Sequence, residues 1–214
     1  MRASSRRHFL AFTFLLIAGR AAAADVHVAL NLEAATSIPP AVAIQAVAET
    51  SAIWGRYGVD VSLQPPLPCG AMSGDTIVLH VVVGDQRAGS LNAPLGAIRF
   101  SPDGTPGGTI TVFYRDVVRF SRHLGAVDSP EPSWPSGRIA QVTARVLGRV
   151  LAHEIGHFLL RSPLHARSGL MRPVQPAPDL CMGATTHFLL SKAEVARLDR
   201  LLGLTEEPAE TPER

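Results

Sequence analysis

The chain has 214 residues, a formal net charge of +2 at neutral pH and only 18% charged residues. That balance supplies no basic field for nucleic acid and no acidic one for cationic partners. With 46% hydrophobic residues, it also excludes a wholly disordered chain and fits one domain with its own core.

The N-terminus reads as an export signal. Arg2, Arg6 and Arg7 form a basic start, residues 9–18 are apolar but too short to span a bilayer comfortably, and Ala21, Ala22, Ala23 and Ala24 offer small-residue cleavage sites. Ser5-Arg6-Arg7-His8-Phe9-Leu10 resembles the bacterial twin-arginine signal; an ordinary secretory signal with two arginines fits as well. The expectation is a signal peptide over 1–24, one domain over 25–204 and a disordered acidic tail over 205–214. The mature chain is then periplasmic or secreted, soluble without stable membrane insertion, and monomeric.

Residues 26–30 alternate toward a first strand. Pro39 and Pro40 open a helix over 41–54, with Val42, Ala46, Ile53 and Trp54 on its apolar face and Gly55 and Gly58 ending it. Residues 59–63 alternate again as a second strand. The Pro-rich 64–70 is a loop, and 76–83 is so continuously β-branched and apolar that it predicts a strand buried on both faces. The order strand, helix, strand, strand predicts an α/β (α+β) fold with a mixed, mostly parallel sheet and a crossover helix. Residues 95–102 and 109–114 read as two more strands around the loop 103–108. The stretch 121–137 is a Pro-rich connection without periodicity, expected as a surface excursion near a cleft.

A long helix follows, capped by Ser133 or Ser136. Ile139, Val142, Val146, Val150, His153 and His157 recur at three and four, so its buried stripe runs into two histidines. They belong to His153-Glu154-Ile155-Gly156-His157, a HExxH pentad. Histidines four apart share one helical face, so both imidazoles reach one zinc ion. Glu154 lies beside that metal, where it can take a proton from water. Pro163 cannot continue the helix, so the chain leaves it near Arg161 and can return to the metal with His165 as third ligand. Three ligands with one open position is the arrangement of a catalytic zinc. A last helix spans about 192–202.

His165 is followed by Ser168-Gly169-Leu170-Met171-Arg172-Pro173, a tight turn carrying one methionine. From His153 to Pro173 the chain resembles the metzincin metallopeptidases, whose signature is HExxHxxGxxH followed by a methionine turn under the zinc. The resemblance implies an exported zinc metalloendopeptidase acting on peptides or proteins, with Glu154 as general base, one catalytic Zn2+ and Met171 as the floor of the site. Here the family's glycine falls at Leu160 and its third histidine at Pro163, so the turn must use other geometry, such as one more helical turn before Pro163. A rival third ligand is Glu194, by analogy with the gluzincins; as Ser191-Lys192-Ala193-Glu194 it also reads as a capping box. No Tyr follows Met171, where some metzincins carry one.

Residues 95–112 resemble the matrixin edge strand, its Gly-rich loop and its next strand. That likeness implies that Ala97 and Ile98 line the substrate path, the edge strand binding substrate backbone by β-augmentation. Ile98 stands where a structural-zinc histidine would fall, so no structural zinc is expected. The two cysteines, Cys69 and Cys181, are expected to form a disulfide in an oxidising compartment, closing a long loop worth about 4 kcal/mol in the chain-entropy model. Pro68-Cys69-Gly70 also resembles, faintly, the thiolate switch of matrixin propeptides. Two other functions stay open: a zinc hydrolase of a non-peptide amide, and a zinc-binding module without activity.

Overall fold

A computed structural model describes residues 26–33, 37–64, 76–84, 93–127 and 134–203. The expected signal peptide, the loop carrying Cys69 and the acidic tail lie outside the described residues. The chain begins with β1 (Val26–Leu32), α1 (Pro40–Trp54), β2 (Val59–Leu63), β3 (Thr76–Val83), β4 (Gly96–Phe100) and β5 (Pro106–Val112). It continues through α2 (Tyr114–Val127), α3 (Ser136–Leu159), the short α4 (Ala177–Cys181) and α5 (Lys192–Leu202).

The five strands form one mixed sheet in the order β2-β1-β3-β5-β4. β1 pairs in parallel with both β2 and β3, and β3 pairs in parallel with β5. Only β4 runs antiparallel, and it lies at an edge. α1 is the crossover between β1 and β2, so the α/β reading with a mostly parallel sheet and a crossover helix holds.

Register puts Val28 beside Val61 and Ile77, Leu30 beside Leu79, and Val81 beside Ile110, so their side chains share one face. α1 and α3 pack together over the core these residues enter. The other face carries His27, Asp60, His80 and Thr109; His27 and Asp60 face each other across β1 and β2 at 3.3 Å. This corrects the expectation that β3 is buried on both faces. Leu79 and Val81 are buried, but His80 between them is exposed.

α1 and α3 cross closely. Thr50 Oγ1 donates to Gly148 O at 2.9 Å and Trp54 Nε1 donates to Ala152 O at 3.1 Å, each from a buried side chain. Buried polar groups placed this way fix the axial register of α3, and with it the height of His153 and His157.

Two expectations need correction. The stretch from 121 is not an irregular connection, because α2 continues to Val127. Tyr114, Val117 and Ser121 are buried at helical spacing, and Ser121 Oγ donates to Val117 O at 2.8 Å, which hides the polar group inside the helix. Nor does a serine cap α3: Pro135 holds the cap position without a side-chain bond, and Ser136 is the first helical residue. No described helix is long and apolar enough to cross a membrane.

Candidate metal centre

α3 delivers its buried stripe to the site as expected: Val142, Val146 and Val150 are buried, and His153 and His157 follow on the same face. The helix ends at Leu159, and Leu160 stays in the right-handed region. Arg161 then turns the chain with φ 46°, among the described residues the only non-glycine with positive φ. Arg161 N–H donates to Phe158 O at 3.1 Å and Ser162 N–H to His157 O at 3.1 Å, a Schellman closure. No extra helical turn precedes Pro163. The left-handed residue sits one position later than the family's glycine, on an arginine.

That strained residue is braced from α5. Arg197 Nε donates to Leu160 O at 2.7 Å and its Nη2 to Arg161 O at 3.1 Å. Two guanidinium bonds to consecutive carbonyls hold a conformation costing about 1 kcal/mol or more for a residue with a Cβ.

The turn serves the site directly. His157 Nδ1 donates to Ser162 O at 2.7 Å, and His153 Nδ1 donates to Leu170 O at 2.8 Å. A carbonyl only accepts, so each ring carries its proton on Nδ1 and offers a bare Nε2. The two Nε2 atoms face each other at 3.1 Å. With no proton between them, two lone pairs at that distance repel, and a shared cation would relieve the repulsion. Two nitrogens bound to one tetrahedral ion at about 2.0–2.1 Å sit about 3.3 Å apart. His165 completes the group: its ring stacks on His153 at 5.3 Å and stands perpendicular to His157 at 4.9 Å. The candidate ligand atoms of all three histidines lie within 4.8 Å of one another. The donor set therefore fits a metal ion with imidazole preference.

Electrostatics favour the neutral forms of His153 and His157. Burial lowers His153 to about 4, with His157 and His165 adding repulsion and the Leu170 carbonyl partly opposing. Burial, then His165, lowers His157 as well. Glu154 lies on the same helical turn, 6% exposed, and burial raises its carboxyl to about 7, opposed by the Ile98 amide bonded to it. That bond joins α3 to the edge strand β4.

Met171 lies under the ligands. It is buried, and a Cβ at Gly156 would overlap its sulfur, so only glycine between the two histidines admits the thioether this close. Gly169 has φ 77°, and a Cβ there would strike Leu189 O, so the turn before Met171 also requires glycine. Gln175 Nε2 ties it down through Gly169 O at 2.7 Å and Leu170 O at 3.3 Å.

The site opens into a cleft of about 830 Å³, lined by Ala97 and Ile98 from β4. Phe120 and His123 of α2 line it too, as do Arg172 and Gln175. The spacing of Val117, Phe120 and Ser121 was the sequence signal that could have placed α2 here. Glu194 is not at the metal centre. It closes the capping box of α5, its Oε2 accepting from Ser191 N–H at 2.7 Å and its own N–H donating to Ser191 Oγ at 3.3 Å. Cys181 is a buried thiol, pushed by burial to about 12, and its pairing with Cys69 falls outside the described residues. Comparison with family models, curated proteins and solved structures finds no match to this chain.

Proposed function

We propose that this chain is an exported zinc-dependent metallopeptidase that hydrolyses peptide bonds through an activated water. The observation that carries the reading is the convergence of His153, His157 and His165 beside Glu154 at the floor of an open cleft. Bound zinc supplies Lewis-acid polarisation of a carbonyl and acidifies water. Glu154, held by the Ile98 amide and not used as a ligand, takes the attacking water's proton and returns it to the leaving amine nitrogen. Burial raises that carboxyl in the metal-free site, and a bound cation beside it would lower it again, leaving a carboxylate free to take the proton. Ala97 and Ile98 lie on the antiparallel edge strand, whose outer side suits an extended peptide backbone.

The resemblance of residues 153–173 to the metzincin signature supports the same reading, with Arg161 supplying the left-handed turn that the family assigns to glycine. Metal analysis of the mature protein and digestion of a peptide library, with and without a chelator, test it. Zinc at one equivalent and chelator-sensitive cleavage are expected. A zinc-loaded protein that leaves every peptide intact would overturn the peptidase reading. The non-peptide amide hydrolase and the inactive module would then be separated by assay of small amides.

A further inference from the structure

Among the described residues that line the cleft, Arg172 is the only lysine or arginine and Glu154 the only carboxylate. Glu154 is buried and engaged with the Ile98 amide. Arg172 is exposed, and no described residue forms an ion pair or side-chain hydrogen bond with it. Its backbone is held in place. Arg172 N–H donates to Gly169 O at 3.3 Å, and Pro173 restricts it to extended conformations. Gln175 fastens the same turn.

Arg172 directly follows Met171, which lies against Gly156 between the two helical ligands. Arg172 therefore lines the cleft one residue beyond the floor of the site. Other walls, such as Leu95, Phe100 and Val150, are apolar. Low-dielectric walls around an unpaired side-chain cation add its field to that of the bound ion on an entering chain. Arg172 shares the cleft with the three histidines and neighbours Met171 at its floor, so a group it binds lies close to the scissile amide.

We propose that Arg172 determines specificity: the preferred substrates are peptides carrying a carboxylate close to the scissile bond, bound by its guanidinium in a charge-assisted pair. This rests on the peptidase reading above. The carboxylate can come from an Asp or Glu side chain or from a free chain terminus.

The test uses peptides taken from the library digestion. Each is made with Asp or Glu, and with Asn or Gln, at the positions flanking the cleaved bond, and each with a free and an amidated C-terminus. The acid-over-amide ratio of kcat/KM is expected to be about tenfold or more in the wild type, near one in Arg172→Gln, and below one in Arg172→Glu. The side-chain and terminal arms identify which carboxylate is read. A wild-type ratio near one in both arms, or a high ratio retained in Arg172→Gln, overturns the proposal. Binding is measured separately on Glu154→Gln, which cannot turn substrate over, with peptide mixtures rich in Asp and Glu or in Asn and Gln. If no peptide is cleaved, the peptidase reading fails, while tighter binding of the acidic mixture that vanishes with Arg172→Gln still upholds the carboxylate site. Equal binding of both mixtures overturns it.

Discussion

Arg197 Nε donates to Leu160 O at 2.7 Å, which joins the last helix to the final turn of the helix that carries the metal ligands. The same guanidinium reaches Arg161 O, and the turn it braces presents Ser162 O to His157 Nδ1. Arg197→Ala is expected to lower metal affinity about tenfold or more, because it loosens the acceptor that orients one ligand. Arg197→Lys, with one donor group in place of a fork, should fall between. Competition with a chromophoric chelator measures this. Wild-type affinity in Arg197→Ala would show that the turn holds its shape without α5.

His165→Ala should release the metal on dialysis, because it removes one of the three converging imidazoles found among the described residues. Glu194→Ala should keep it and lose about 1 kcal/mol or less of stability, since its carboxylate closes a capping box. Metal content after dialysis decides. Loss in Glu194→Ala with retention in His165→Ala would reverse the ligand assignment.

Glu154 has two separable effects. Glu154→Ala should retain the metal and lose hydrolysis by about 10³-fold or more, since the residue handles the proton without being a ligand. In the metal-free protein its folded pKa of about 7 lies above the ordinary 4.5, so the folded chain holds the proton more tightly. Its contribution to stability is thus present below 4.5 and lost as pH rises to 7. Glu154→Gln cannot ionise. It should match the metal-free wild type at pH 4 and exceed it at pH 8 by up to about 3 kcal/mol. Denaturant melts at the two pH values measure the difference, and a gap that does not change with pH would contradict it.

If the chain matures in an oxidising compartment, as proposed, Cys69 and Cys181 are expected to be bonded. Mass spectrometry with and without reductant checks the pairing. Two free thiols in chain recovered from such a compartment would remove the bond and reopen the thiolate switch at Cys69.

Much of the fold was legible because its signals are local. Residues 59–63 and 76–83 form strands with the expected limits, and α1 starts one residue earlier than expected, at Pro40. The HExxH spacing places His153 and His157 on one face by helical geometry alone. His165 was legible because Pro163 must end the helix and leaves enough chain to return. The turn between them was not. Its left-handed residue is an arginine, chosen by Schellman closure and by contacts from a helix far along the chain. α2 escaped notice because its inner face combines Tyr114, Val117 and Ser121, and a buried serine does not read as apolar. The burial of β3 was overestimated because β-branched composition does not reveal which face the helices cover.

The bonds that aim His153 and His157 end on the main-chain oxygens of Leu170 and Ser162, not on carboxylates. Every amino acid carries such an oxygen. Exchange of either side chain leaves the acceptor in place as long as the turn keeps its path, so the site tolerates drift at positions that touch its own ligands. A carbonyl also brings no negative charge. A divalent ion held here would keep its charge unoffset by these two acceptors, and would be a stronger electrophile than one backed by aspartates.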